Sequence, residues 1–215
     1  MMAITHLAHT GICVPDVDEA VAWYREVLGM KVLSPPYLMS GEVIERDLAT
    51  TTLPHITDEW VQAVHSDPAT HTADQKQVLQ ISDALVAELV EADTIVIGAP
   101  MYNFAIPAPL KAWIDQVVRI GKTVLFGAGA PQGVLKGKKV FVITSRGGAF
   151  RPGTPTERFD YQEPYLRHIL AFIGLTDVTF IHAENQKPGA QAELAKADAI
   201  TQIEHLAGGA AHSAA

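Results

Sequence analysis

Short apolar runs alternate with longer amphipathic segments along most of this chain, and this alternation predicts a parallel sheet covered by helices. The most apolar runs, at residues 93–99 and 138–145, are rich in Val and Ile and predict strands buried on both faces. Residues 42–48 predict a strand with partial alternation, and residues 177–183 predict an edge strand. One more strand near residues 9–14 brings the predicted number to five.

Apolar residues at three- and four-residue spacing predict the helices between these strands. In the first helix, Val78, Ile81, Leu85 and Leu89 fall on one side. The predicted helices cover residues 73–93, 110–120, 163–175 and 190–206.

Strands that alternate with helices in this order predict an α/β fold with a doubly wound, five-stranded parallel sheet. We expect a single domain over residues 1–206 and a flexible tail of small residues at 207–215. In such sheets, ligands bind where the carboxyl ends of the strands meet the loops that follow them. The loops after residues 93–99 and 138–145 are therefore the candidate binding loops.

Composition and charge narrow the possible partners. The chain has 215 residues, of which 48% are hydrophobic, and a formal net charge of −8. An acidic chain lacks the basic face that a phosphate backbone requires, so nucleic acid is not an expected partner. No apolar run approaches the roughly 20 residues that span a bilayer, so no membrane association is expected. The single Cys13 and the absence of an early basic segment predict a cytoplasmic protein.

The two candidate loops contain groups suited to a flat aromatic ligand. In "MYNF" (101–104), Asn103 offers an amide that donates and accepts, and the two aromatic residues offer ring surface. In "SRGG" (145–148), Gly147 and Gly148 allow close approach to the backbone and offer successive N–H donors. Taken alone, the pattern leaves another interpretation open, in which the aromatic residues only pack and the glycines only form a turn.

The motifs "ERDLA", "ISDALVAEL", "ADTIVIGAPMYNF" and "VITSRGG" resemble those of the FMN-dependent NADH-azoreductases, a flavodoxin-like family that also includes quinone reductases. The resemblance covers about residues 45–206 and implies a flavodoxin-like fold that binds FMN and takes electrons from NADH. Two loops match the flavin-contacting loops of that family, and their residues are Met101, Tyr102, Asn103, Phe104, Ser145, Arg146, Gly147 and Gly148.

The resemblance also implies how the enzyme works. NADH would deliver a hydride to flavin N5 and leave, and an azo compound or a quinone would then take its place on the same face of the ring. No side chain is assigned as a catalytic acid or base. The resemblance implies a homodimer with the flavin at the interface, and Trp113 and the helix that carries it are candidates for that contact. The segment 123–134 departs from the family at Val124 and Phe126, so acceptor preference does not transfer.

Residues 4–47 resemble a different family. The stretch "ITHLAHTGICVPDVDEAVAWYREVLGMKVL" is similar to the first β-α unit of the glyoxalase and ring-cleaving dioxygenase superfamily. His9 stands where that superfamily often places a metal ligand, but the chain changes family before further ligands follow, so no metal site is predicted. We expect this unit to replace the first β-α unit of the flavodoxin-like sheet, with residues 30–41 as an excursion from it.

The replacement removes the Ser-rich loop that holds the flavin phosphate in azoreductases. Asp16, Asp18 and Glu19 stand in its place, and each would cost on the order of 1 kcal/mol beside a phosphate dianion. The sequence therefore predicts weak FMN binding or none. Two alternatives remain open at this point: a metal-dependent enzyme of the glyoxalase or dioxygenase type, and a cofactor-free chain produced by recombination that is not an enzyme.

Overall fold

A computed structural model of the chain describes residues 6–10, 42–127, 129–187 and 189–212. These residues form a layered α/β fold with two short 3₁₀ turns at Pro68–Thr70 and Glu157–Phe159. The helices and strands, in chain order, are β1 (His6–Thr10), β2 (Glu42–Arg46), α1 (Asp58–His65), α2 (Ala73–Glu91), β3 (Thr94–Gly98), α3 (Ala108–Val117), β4 (Val124–Leu125), β5 (Gln132–Gly133), β6 (Lys139–Ser145), α4 (Glu163–Phe172), β7 (Asp177–Ala183) and α5 (Ala190–His212).

Five of the strands form one parallel sheet in the order β2-β1-β3-β6-β7. This order is the flavodoxin type of doubly wound sheet, with the switch point between β1 and β3. The predicted fold class is therefore confirmed, and so is the edge position of β7. The first strand is described over residues 6–10, which overlap the predicted 9–14 at His9 and Thr10, and it lies between β2 and β3; residues 11–14 are outside the described residues. The leading segment thus supplies the first strand of the sheet.

The two faces of the sheet bury different helices because side chains alternate along each strand. Val140 and Val142 of β6 belong to the larger core, which includes residues of α2, α3 and α4. Ile143 of β6 and Ile181 of β7 belong to a smaller core, in which Ala199 of α5 is also buried. Apolar cover on both faces explains why the strand runs are almost continuously hydrophobic.

Helix α1 was not predicted, although its start has a recognisable signal. The Thr57 side chain accepts a hydrogen bond from the Trp60 backbone N–H, and Asp58 and Glu59 occupy the first turn. A capping hydroxyl followed by acidic residues is typical of a helix start. Trp60 then fixes the helix to α3 by donating from Nε1 to Gln116 Oε1 at 3.1 Å.

Two expectations about the helices need adjustment. Helix α5 continues through His212, beyond the predicted end at residue 206 and into the segment expected to be a tail.

The expectation that Trp113 contacts a second copy of the chain is wrong, because its side chain is 2% exposed and lies in the larger core. The predicted excursion at residues 30–41 and the carboxylates at residues 16–19 lie outside the described residues.

A short antiparallel ribbon of β4 and β5 was also missed, because strands of two residues have no detectable periodicity. The ribbon packs against the end of α4 through backbone contact at glycines. Leu135 N–H donates to Ile173 O at 3.0 Å, and a Cβ atom on Gly133 would lie 2.1 Å from the Gly174 backbone nitrogen. Gly174 itself has a φ of +102°, a conformation that residues with a side chain rarely adopt.

We predict that Gly133→Ala lowers the free energy of unfolding by about 3 kcal/mol, because backbone on both sides must separate to admit the methyl group. Equilibrium urea unfolding measures the change. Gly129→Ala is the matched control, since a Cβ atom there meets nothing within 4 Å. A Gly133→Ala variant as stable as this control would contradict the close packing of the ribbon.

Candidate functional site

The two predicted binding loops lie side by side at the carboxyl edge of the sheet. Beyond the end of β3, the Ala99 N–H donates to Ile143 O and the Met101 N–H donates to Ser145 O, both at 2.8 Å. The chain therefore stays paired to β6 until the first loop begins. Met101 and Ser145 are half-buried at this junction, so they form the base from which both loops project.

The first loop is a tight turn held in an uncommon conformation. Tyr102 and Ala105 exchange two backbone hydrogen bonds of 3.0 Å, and the residues between them, Asn103 and Phe104, have φ values of 48° and 69°. Positive φ at both central positions defines a type I′ turn, in which Phe is a costly choice. Strain of this kind persists where the surrounding structure imposes it, and it often marks a functional site.

The turn presents its side chains to solvent. Tyr102 is 42% exposed and Phe104 is 47% exposed, and the Asn103 amide has no hydrogen-bond partner among the described residues. The Phe104 ring packs against two other rings, at centroid distances of 6.0 Å to Phe150 and 5.5 Å to Phe159. The loop thus offers a supported aromatic surface next to a free amide.

The second loop offers backbone donors in open space. Within the part of the chain that the structure describes, neither the Gly147 N–H nor the Gly148 N–H has an acceptor. A Cβ atom on Gly147 would meet nothing within 4 Å. These donors border a cleft of about 430 Å³. The cleft is lined by Gly147, Gly148, Asn185, Lys187, Gly189, Ala190 and Gln191.

Arg146, between these loop residues, does not reach the surface. Its side chain is 0% exposed, its backbone N–H donates to Ala183 O at 2.9 Å, and its carbonyl accepts from the Gln186 N–H at 2.9 Å. Both the side chain and the backbone of Arg146 are thus engaged inside the protein. Arg146 lies where the sequence predicts a ligand contact, but its surroundings suit a support for the loop.

The Arg146 guanidinium is surrounded by polar groups from two neighbouring segments. Its Nε donates to Gln162 Oε1 at 3.1 Å, and its Nη1 lies 3.0 Å from Asp160 Oδ2 and 3.9 Å from Glu184 Oε1. Nη1 and Nη2 are buried and not aligned for a hydrogen bond with any described residue, so these contacts are ion pairs. Nη2 lies 3.8 Å from Glu163 Oε2.

A second polar chain leads from β6 to the start of α4. Thr144 Oγ1 lies 2.7 Å from His182 Nδ1, and His182 Nε2 lies 2.8 Å from Glu163 Oε2. The hydrogen bond with His182, and then that with Arg167, lowers the pKa of Glu163 to about 2, although partial burial opposes the shift. Glu163 is therefore an anion at neutral pH and fixes the first turn of α4 to β7.

Among the described residues, no group of three or more His, Cys, Asp or Glu side chains lies together in a way that could hold a metal ion. No helix in the described ranges has the length and apolar character needed to span a bilayer.

Sequence reasoning missed three contributors to this edge of the sheet: Glu184, Gln162 and Phe150. Glu184 directly follows β7, whose carboxyl-terminal loop was not among the predicted binding loops. The rule that sites form at the carboxyl ends of the strands is the signal that could have drawn attention to it. No sequence pattern of this kind predicts that the Gln162 side chain points into the protein.

Comparison with known proteins gives a consistent result. A protein family whose description is "Flavodoxin-like fold" matches residues 36–206 of this chain. Most of the segment 4–47 therefore lies outside the match. An "FMN-dependent NADH:quinone oxidoreductase" of Nostoc sp. is 50% identical over 165 residues, which cover 74% of this chain and 80% of the relative. A protein of the same name from Hyphomonas neptunium is 47% identical and covers 72% of this chain and 73% of its own.

Solved structures show the same fold at lower identity. An azoreductase from Bacillus anthracis strain Sterne has a TM-score of 0.81 at 23% identity, and the match covers 94% of this chain and 98% of that one. An FMN-dependent NADH-azoreductase from the Ames Ancestor strain, solved in complex with FMN, has a TM-score of 0.73 at 21% identity and covers 94% and 99%. The resemblance of residues 4–47 to the glyoxalase superfamily stays a prediction.

We predict that Glu163→Gln destabilises the protein at pH 7 by about 1–2 kcal/mol, a value reduced for the partial exposure of Glu163. Because the folded pKa lies below the ordinary 4.5, this stabilisation is complete above about pH 5 and is lost as the pH falls towards 2. Urea unfolding of both proteins between pH 7 and pH 2 should show the difference shrinking in that range. Glu204→Gln, on the exposed side of α5, should cause no such difference.

Proposed function

We propose that this chain is an FMN-dependent NADH oxidoreductase that reduces quinones and azo compounds. The proposal starts from its family, since the chain belongs to the family with the flavodoxin-like fold. Relatives at 50% and 47% identity that bear the name FMN-dependent NADH:quinone oxidoreductase support this assignment. The match covers 80% and 73% of their lengths, so the similarity extends over about three quarters or more of each enzyme.

The observation that carries the proposal is the pair of free N–H groups at Gly147 and Gly148 beside the exposed turn of Asn103 and Phe104. A flavin ring has a polar edge of carbonyl oxygens and ring nitrogens and a flat apolar face. Backbone donors, a free amide and a supported aromatic surface are the groups that such a ring needs. The described residues therefore fit the ring of FMN. The loop for its phosphate would follow β1 and lies outside the described residues.

When bound, FMN would supply the redox chemistry that couples NADH oxidation to reduction of the acceptor. The protein would supply orientation. We propose that the Gly147 and Gly148 N–H groups and the Asn103 amide bind the polar edge of the ring, and that Tyr102 and Phe104 border its face. Met101 and Ser145 hold the two loops together through their backbone hydrogen bond. Arg146 supports the second loop from inside the protein.

We also propose that the enzyme works in the cytoplasm as a homodimer, with the flavin near the interface. Exposed aromatic residues next to the site support the dimer, because Tyr102, Phe104 and Tyr161 are 42%, 47% and 64% exposed. A second copy of the chain would cover surface of this kind. Trp113 takes no part in this proposal.

Reconstitution with FMN tests the function directly. Titration with FMN should perturb the flavin absorbance near 450 nm, at the high FMN concentrations that weak binding requires. In the absence of oxygen, we expect the chain to oxidise NADH only when FMN and a quinone are both present. Gly147→Ala should weaken FMN binding at least tenfold, because the methyl group occupies the open space beside the free donors. Flavin titration and NADH oxidation measure the two effects.

Because of this open space, Gly147→Ala should affect FMN binding without affecting the stability of the flavin-free protein. The added methyl group touches no protein atom, so the melting temperature of the flavin-free protein should not change. Gly129→Ala, which also adds a methyl group in open space, should bind FMN as the native chain does. Native affinity in Gly147→Ala would remove this loop from the proposed site. NADH oxidation that needs no flavin would overturn the function itself.

The front segment generates a separate prediction about the phosphate. If Asp16, Asp18 and Glu19 stand where azoreductases have a Ser-rich loop, the FMN phosphate adds nothing to affinity and is repelled. Riboflavin, which lacks the phosphate, should then bind at least as tightly as FMN. Titration of the native chain with both flavins measures the ratio. FMN affinity more than a hundredfold above that of riboflavin would mean that an effective phosphate site exists.

A further inference from the structure

Glu184 is a buried carboxylate that the proposed function does not yet use. It directly follows β7, is 4% exposed, and lies behind the loop that carries Gly147 and Gly148. A buried carboxylate is expensive for a fold, and replacing buried ion pairs by apolar residues is often neutral or stabilising. Packing alone therefore gives a poor account of a charged group at this position.

The hydrogen bonds of Glu184 are directed at the backbone of the binding loop. Its Oε1 accepts from the Phe150 N–H at 2.7 Å and from the Arg151 N–H at 3.2 Å. Its Oε2 has no hydrogen-bond partner among the described residues and lies 3.7 Å from Nη1 of Arg151, which is largely exposed. One carboxylate oxygen thus fixes the far end of the loop, and charge-assisted bonds of this kind are stronger than neutral ones.

The near end of the loop is fixed to the same segment of chain. The Arg146 N–H donates to Ala183 O, and the Gln186 N–H donates to Arg146 O, both at 2.9 Å. Residues 147–149 lie between the two attachments, and they include the free N–H groups of both glycines. The segment 183–186 therefore holds the loop at both ends and leaves its donors unpaired.

The same attachment reaches the other binding loop. Phe150, whose N–H is bound by Glu184, packs edge to face against Phe104 at 6.0 Å between ring centroids. Phe104 is one of the two central residues with positive φ in the type I′ turn. A shift of Phe150 would therefore change both the donors of the second loop and the ring surface of the first.

We propose that Glu184 is a positioning residue that sets the loop 147–151, and through Phe150 the turn at Phe104, in the arrangement that receives the flavin ring. This inference rests on the proposed function, since it explains how the same site is held ready. Glu184 touches neither the cofactor nor the substrate in this role. It acts only through the backbone N–H groups that it binds.

A first test needs no substitution and no activity. In the flavin-free native chain, hydrogen exchange followed by NMR should show the Phe150 and Arg151 amides protected and the Gly147 and Gly148 amides exchanging freely. Addition of FMN should then protect the two glycine amides. A Phe150 amide that exchanges as fast as that of Gly147 in the flavin-free protein would overturn the proposal, whether or not the chain is an enzyme.

The second test uses Glu184→Gln, which keeps the size of the side chain and removes its charge. We expect exchange at Phe150 and Arg151 to become about tenfold faster and the Kd for FMN to rise about tenfold, while the flavin-free protein still melts cooperatively. Glu157→Gln is the matched control, because Glu157 Oε2 also binds a backbone N–H, that of Gly153 at 2.7 Å, on an exposed part of the chain. It should leave FMN affinity unchanged.

Glu184→Asp separates the position of the carboxylate from its charge. It keeps the charge but withdraws the oxygens by one methylene, so we expect a weakened FMN affinity here as well. Unchanged FMN affinity and unchanged amide exchange in both Glu184→Gln and Glu184→Asp would overturn the positioning role. If the native chain itself binds FMN but oxidises no NADH, the proposed function fails while the exchange measurements still decide the role of Glu184.

Discussion

Arg146 carries a positive charge into a place that solvent does not reach, and the arrangement of the candidate site depends on how that charge is accommodated. An isolated charge in a protein interior is prohibitively unfavourable, so the surrounding chain must supply partners. Those partners are Asp160 at the approach to α4, Glu163 in its first turn and Glu184 after β7. Gln162 adds a hydrogen bond to Arg146 and donates to Ala99 O at 2.8 Å. The ends of β3, β6 and β7 and the start of α4 are thereby connected around one guanidinium.

This rigid interior explains how a strained surface can persist. A turn with Asn103 and Phe104 both at positive φ would relax in isolation, since strain of this kind costs of order 1–3 kcal/mol per residue. The bond from Met101 to Ser145 fixes the start of the turn, and the Tyr161 N–H donates to Phe104 O at 3.1 Å. Support for the turn therefore comes from backbone hydrogen bonds rather than from its exposed side chains. The Phe104 ring and the Asn103 amide stay accessible to a ligand.

The sequence predicted correctly the elements whose residue pattern has a single physical explanation, above all the buried strands. Runs such as "TIVIG" and "KVFVITS" are apolar on both faces, so buried parallel strands followed directly. Side-chain direction could not be predicted in the same way, because "SRGG" does not say whether Arg146 points inward or outward. Trp113 was expected at a surface for that reason and is buried. Glu184 looked like an ordinary residue after a strand, and its role depends on loop 147–151, more than thirty residues away in the chain.

The charges around Arg146 also determine what kind of ligand group the open loops favour. Three cations, Arg146, Arg151 and Arg167, face three carboxylates from Asp160, Glu163 and Glu184, so the cluster is close to neutral. Because its charges nearly cancel, this cluster contributes little electrostatic potential at the Gly147 and Gly148 N–H groups. The polar character of that surface then comes from the N–H dipoles, which suit carbonyl oxygens and ring nitrogens, and from the polar residues of the cleft such as Lys187. This fold places a flavin phosphate in the loop that follows β1. There the sequence predicts repulsion by Asp16, Asp18 and Glu19, so contacts with the flavin ring must carry the binding of the cofactor.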